Sequence, residues 1–237
     1  MKDTKTNLIL FAVVTCCVCS TLLALASSSL KELQEKNRRL YIKKNILKVA
    51  GLKGEGAPMS DKDVEALYDR NIVGKALDEE GNEVAGVSPD DAKAMKERKL
   101  RPLYIRVEDG KPTAYVLYVQ GKGLWSTVKG YLALGADAGT ITGVAFFEHG
   151  ETPGLGGEIE KDWFSGQWKG KKIFNPEDQL VPVSIIKGKV EKSKHAKEPE
   201  YFVDGISGAT LTGNGINKFM ERDLKIYEPF LRKIRKS

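Results

Sequence analysis

The run Leu8–Ala26 carries no charged residue over nineteen consecutive positions. At a rise of about 1.5 Å per residue, a helix of that length reaches roughly 28 Å, close to the hydrocarbon thickness of a bilayer. A lone segment in lipid must pair its own backbone groups, so a single helix is the form open to it. Residues 1–29 are therefore expected to be an N-terminal transmembrane anchor. Ala24-Leu25-Ala26 has the small-x-small form of a signal-peptide cleavage site, but a signal h-region is usually shorter, so the uncleaved anchor is the preferred reading. Cys16, Cys17 and Cys19 all lie in this run and read as small, soft apolar residues. The remaining chain has no cysteine, which excludes a disulfide framework or a cysteine metal site there.

The net charge of +6 invites a nucleic-acid reading until its location is traced. Residues 31–48 carry +5, the C-terminal Arg232, Lys233, Arg235 and Lys236 carry +4, and Lys2, Asp3 and Lys5 add +1. Residues 49–231 are left with −4. The basic charge sits at the two ends, which argues against nucleic acid and fits contact with anionic lipid headgroups. Lys2 and Lys5 precede the anchor, whereas Lys31, Lys36, Arg38, Arg39, Lys43 and Lys44 follow it. Counted by the positive-inside rule, the body belongs in the cytoplasm.

Leu30–Val49 reads as a charged helix continuing from the anchor, and Gly51–Pro58, with its three glycines and a proline, breaks it. Ser60-Asp61-Lys62-Asp63 has the form of a helix start, with Val64, Leu67 and Tyr68 behind it. Gly74–Leu100 is polar, with a turn at Glu80-Gly81-Asn82 and a short helix after Pro89; no chemistry is evident in it. From Leu103 the pattern changes. Residues 103–107, 113–119, 130–134 and 140–147 are β-rich runs separated by glycine turns, so closely spaced that antiparallel neighbours are implied. Residues 159–169 read as a short helix, 180–187 as a further strand and 188–199 as a lysine-rich loop. Beyond Thr210, apolar Ile216, Phe219, Met220, Leu224 and Tyr227 follow a helix period, with a break or kink expected at Pro229. The fold class is α+β: one transmembrane helix, a helical and polar segment over 30–100, and a domain over 101–237 built on an antiparallel sheet.

The chemistry concentrates in three short stretches. Asp204-Gly205-Ile206-Ser207-Gly208-Ala209-Thr210-Leu211-Thr212 puts small residues before a hydroxyl at or just inside a helix N-terminus. Such a terminus offers unpaired N–H groups and a positive dipole end, which suit a phosphate; alternatively Thr210 is an ordinary helix cap. Glu151-Thr152-Pro153-Gly154-Leu155-Gly156-Gly157 is a loop whose backbone can lie against a flat ligand, or a plain surface turn. Gly121-Lys122-Gly123-Leu124-Trp125-Ser126 suits a hairpin loop, with Trp125 free to stack on a ring or to fill the core. His149 and His195 have no partner at metal-ligand spacing, so no metal site is expected. Neither Gly121-x-Gly123 nor Gly213-x-Gly215 completes a dinucleotide fingerprint, and no P-loop is present, so NADH is expected on another chain.

Ser-Gly-Ala-Thr after an Asp resembles the flavinylation motif of the FMN-binding domain family, and Glu-Thr-Pro-Gly-Leu-Gly resembles that family's second signature. The Gly-x-Gly-Leu-Trp segment is similar to flavoprotein subunits of sodium-pumping NADH:quinone reductases. The resemblance implies an FMN held on Thr210, not Thr212, through a phosphoester made by a separate flavin transferase that uses FAD and magnesium. It also implies a cofactor site formed by Ser207, Gly208, Ala209, Leu211, Thr152, Gly154, Leu155, Gly156 and Trp125. The implied role is electron transfer within a multisubunit complex of the bacterial inner membrane, between an iron centre and the flavin of another subunit. The implied location of the body is periplasmic, in conflict with the charge count. No residue is expected to make or break substrate bonds. The alternatives are a subunit of the related ferredoxin:NAD complex, an anchored flavin sensor or assembly protein, and a non-redox binding module.

Overall fold

The structure, a computed structural model of the chain, describes residues 2–52 and 59–236, so the glycine-rich break expected at Gly51–Pro58 falls largely outside the described residues. Two compact units are present, Met1–Ile42 and Lys43–Ser237. The helix α1 runs from Lys2 to Val49 and, among the described residues, contains the one segment long and apolar enough to cross a membrane. Within the first unit, Leu8, Ile9, Phe11, Leu22 and Leu23 are exposed, as a lipid-facing surface requires.

The second unit holds a five-stranded antiparallel meander, β1 (Ile72–Leu77), β2 (Arg101–Glu108), β3 (Lys111–Lys122), β4 (Thr127–Gly135) and β5 (Ile141–Glu148), in sequential order. Asp109 and Gly110 both have positive φ and form the two-residue turn that pairs Glu108 with Lys111. The strand β1 departs from expectation, since Gly74 and Lys75 hid it in a stretch that reads as polar. It is the edge strand of the sheet, paired with β2, and its Leu77 also forms an isolated antiparallel bridge with Glu83. Gly74 is required there because a Cβ would lie 2.6 Å from Pro89 Cγ.

The helix α2 (Asp61–Asn71) starts where expected, with Ser60 accepting the Asp63 N–H, and α3 (Ala92–Glu97) follows Pro89. The last turns of α1, carrying buried Ile46, Leu47 and Val49, lie on the sheet: a Cβ at Gly143 would be 2.8 Å from Val49 O. Lys44 and Lys43 pair with Asp61 and Asp69 of α2. The other face of the sheet packs on the C-terminal helix α5 (Thr210–Arg235), whose Ile216, Phe219, Met220, Leu224 and Tyr227 are buried against Tyr115, Leu117, Val119 and Leu132. With both faces covered, the strands read as nearly continuous apolar runs.

Three expectations are corrected. Residues 159–169 form no single helix but a 3-10 turn at Gly156–Glu160, the short α4 (Asp162–Ser165) and a second 3-10 turn at Gly166–Trp168, because Phe164 and Trp168 both bury under Phe146. Residues 180–187 contribute only the two-residue β6 (Ser184–Ile185), parallel to β7 (Phe202–Val203); Asn217 of α5 takes both the N–H and the carbonyl of Ile185 and replaces a longer ladder. The helix α5 is not broken at Pro229. Buried Phe230 and Leu231, together with the Arg232 and Arg235 pairs to Asp178, hold the turn beyond it.

Candidate functional site

One end of the sheet brings the three stretches together. Glycines decide how closely they approach. At Gly121 a Cβ would lie 2.3 Å from Phe219 Cβ, and at Gly215 it would lie 2.3 Å from Lys122 O. Neither position admits a side chain, so the first turns of α5 lie directly on the β3–β4 turn. The helix is clamped there by Asp223, which accepts the Gln120 N–H at 2.9 Å, and by Arg222, which donates to Gln120 O.

Thr210 is the first residue of α5, not its cap. The cap position is Ala209, and among the described residues no side chain caps the turn. The first turn also lacks an acidic residue. Its N–H groups and the positive helix end are therefore open to an anion. Gly208 has a φ of +74°, a conformation suited to glycine, and a Cβ there would lie 2.7 Å from Leu155 Cδ2. The 151–157 loop thus packs directly on the turn that leads into Thr210. Thr210 and Ser207 are exposed, Ala209 is buried, and Leu211 is 60% exposed.

The 151–157 loop is shaped mainly by its own backbone. The Thr152 carbonyl accepts the N–H groups of Leu155 and Gly157, and Gly154 has a φ of +75°. Thr152 and Leu155 are exposed, while Gly156 lies against Thr212, where a Cβ would come within 2.6 Å of the hydroxyl. On the β3–β4 turn Trp125 is 69% exposed. That removes the core-residue reading of its indole and leaves an aromatic face available for stacking.

Two residues outside the expected set organise the cluster. Glu151, only 5% exposed, accepts N–H groups from Leu124 at 3.2 Å, Trp125 at 3.0 Å and Ser126 at 3.2 Å, and the Thr212 hydroxyl at 2.6 Å. Burial raises the pKa of this carboxyl, but the hydrogen bonds from Thr212 and from the three backbone N–H groups outweigh it and hold the group below the usual range. Thr212, 1% exposed, spends its hydroxyl on this bond, which leaves Thr210 as the open threonine. The signal in the sequence was a carboxylate at the head of a loop of small residues, where a solvated charge has no need to be.

The Asp of the signature has a scaffold role. Asp204 accepts the Val190 N–H and the Lys189 ammonium, and a Cβ at Gly205 would lie 2.1 Å from Ile186 O. These contacts anchor the approach to Ser207 on the 186–190 segment. His149 and His195 are not brought together: His149 Nε2 is 3.5 Å from Glu160, and His195 lies against Phe202 with the two rings tilted by 37°.

The chain contains an FMN-binding domain. The profile of the FMN-binding domain matches residues 123–225, a span that holds every part of the cluster from Gly123 to Thr212. The NqrC component of the Na(+)-translocating NADH-quinone reductase of Pseudomonas aeruginosa is 35% identical over 242 residues, covering 92% of this chain and 91% of that protein. Its counterpart in Yersinia pestis is 32% identical, covering 99% and 94%. The crystal structure of the same component from Parabacteroides distasonis superposes with a TM-score of 0.72 at 33% identity, covering 85% of this chain and 96% of that one. NqrC from Shewanella oneidensis, at 24% identity, shares the fold with a TM-score of 0.67, covering 86% of this chain and all of its own. The chain belongs to the NqrC family of Na(+)-translocating NADH-quinone reductase components.

Proposed function

We infer that this chain is the electron-transfer subunit of a sodium-translocating NADH:quinone reductase, and that it carries FMN as a phosphoester on Thr210. The observation that carries the reading is the contrast between the two threonines of the first helical turn: Thr210 is exposed beside uncapped N–H groups, and Thr212 is buried and hydrogen-bonded. When bound, FMN supplies one-electron chemistry that no side chain here offers.

The residues divide the work of holding it. The first-turn N–H groups and helix dipole would hold the FMN phosphate, and the Thr210 oxygen would carry it as an ester. Ser207, Gly208 and Ala209 keep that oxygen accessible to a flavin transferase. Leu155, Leu211 and Trp125 present apolar surface for the ring, with Thr152, Gly154 and Gly156 shaping the loop beside it. The iron centre, the NADH site and the quinone site belong to partner subunits. The apolar helix holds the chain in the bacterial inner membrane, with the body on the periplasmic side. A covalent tether suits a compartment without a flavin pool, since retention by binding alone would require nanomolar affinity, about −12 kcal/mol.

The test is the intact mass and in-gel flavin fluorescence of the full chain produced together with a flavin transferase. The wild type should gain the mass of one esterified FMN. Thr210→Ala should lose both mass and fluorescence, and Thr212→Ala should keep them. A wild-type chain that weighs no more than its polypeptide would overturn the reading.

A further inference from the structure

The cluster contains a charge that flavin attachment does not require. Glu151 is buried, no Lys or Arg forms an ion pair with it among the described residues, and its carboxylate is satisfied by four donors. These donors come from both sides of the site. Three are consecutive backbone N–H groups of the turn that bears Trp125, and the fourth is the Thr212 hydroxyl of the helix that starts at Thr210.

The surroundings are shaped to admit this group. A Cβ at Gly123 would lie 2.6 Å from Glu151 Oε1, and a Cβ at Gly156 would lie 2.9 Å from Oε2. Three consecutive N–H groups converging on one carboxylate form an anion nest, and only an ionised acceptor can satisfy all four donors. A glutamine in the same place offers one carbonyl oxygen and turns two N–H donors toward donors.

We propose that Glu151 is the positioning residue of the flavin site: its carboxylate locks the Trp125 turn to the Thr210 helix and places a fixed negative charge between the two. The proposal rests on the reading of Thr210 as the FMN carrier. It adds that the ring is stacked and its potential held down from below the surface, through a residue that need not touch it. A nearby anion disfavours arrival of an electron, so removing the charge should raise the potential.

The experiment compares wild type, Glu151→Gln and Thr212→Val as full chains in detergent. Without flavin, amide exchange at 124–126 should be about tenfold faster in Glu151→Gln, the loss expected when hydrogen bonds to a charged acceptor are removed. Exchange at the core positions 131–134 should not change. Unchanged exchange at 124–126, or loss of protection in both segments, overturns the lock.

With flavin attached, Glu151→Gln should show a shifted flavin absorption band and a higher midpoint potential. Thr212→Val, which removes one donor and keeps the charge, should leave the potential near wild type. A potential that is unchanged in Glu151→Gln, or that moves equally in both variants, overturns the electrostatic role. Should the wild type take up no flavin, the preceding reading fails and the flavin part of this one falls with it, while the exchange measurement still decides whether Glu151 locks the two elements.

Discussion

At the scale of single residues, closeness of approach fixes which positions tolerate change. Gly215 faces a backbone carbonyl that cannot swing aside, so Gly215→Ala should cost about 1–3 kcal/mol of overpacking in urea unfolding. Gly166 sits in a helical conformation with nothing within 4 Å of its missing Cβ, so Gly166→Ala should leave stability unchanged or raise it by about 0.4–1 kcal/mol. The same scale carries a pH dependence. The folded-state pKa of Glu151 is held below its unfolded value, so its stabilisation is complete above the unfolded pKa and is lost as pH falls through the folded one. His149, two residues earlier, accepts the Glu151 N–H through Nδ1, and its other nitrogen faces Glu160, so among the described residues no cation pairs with the Glu151 carboxylate itself. Asp137, Asp178 and Asp204 are also held low, so the effect is read as a difference. The stability gap between wild type and Glu151→Gln should be constant near neutral pH and shrink below about pH 4. A gap independent of pH would show that the folded chain does not prefer the ionised group. The sequence marked Glu151 only as a carboxylate at the head of a loop of small residues; what it binds was hidden because its four donors come from two distant stretches, brought together by the folded sheet.

At the scale of elements, periodicity was a sound guide wherever one face alone decided the structure. The residues Ile216, Phe219, Met220, Leu224 and Tyr227 marked the buried stripe of α5, and the glycine turns marked the hairpins of the meander. It misled where tertiary partners replaced local pattern. An edge strand containing Gly74 and Lys75 looked polar, and the apolar run around Val183 and Ile185 became mostly irregular because Asn217 supplies its hydrogen bonds. The division of α5 into two surfaces yields a paired prediction. Leu224 is fully buried, so Leu224→Ala should cost about 2–5 kcal/mol in urea unfolding. Leu211 is exposed beside Thr210, so Leu211→Ala should leave the unfolding midpoint near wild type and change flavin fluorescence in the loaded chain. Equal destabilisation by the two would contradict a helix with one core face and one ligand face. Trp125→Ala belongs to the same logic: flavin attachment should persist while the fluorescence or the potential of the bound flavin changes.

At the scale of the whole molecule, two physical arguments point the body in opposite directions across the membrane. The cluster of Lys31, Lys36, Arg38 and Arg39 after the anchor outweighs Lys2 and Lys5 before it, and such a bias holds flanking charge in the cytoplasm. Covalent attachment of a cofactor has its clearest advantage outside the cytoplasm, where a dissociated flavin is not replaced. The rule is a statistical preference over short flanking segments, and a folded domain can translocate against it; the tether proposed on Thr210 would be a permanent chemical feature of the chain. We therefore expect the body outside. The cysteine distribution makes this testable with little background, because Cys16, Cys17 and Cys19 all lie within the apolar run and are shielded from a membrane-impermeant maleimide. A cysteine introduced as Lys194→Cys, in the exposed lysine-rich loop, should be labelled in intact spheroplasts. Labelling that appears only after lysis would place the body in the cytoplasm, and the retention argument for a covalent flavin would then have no compartment to act in.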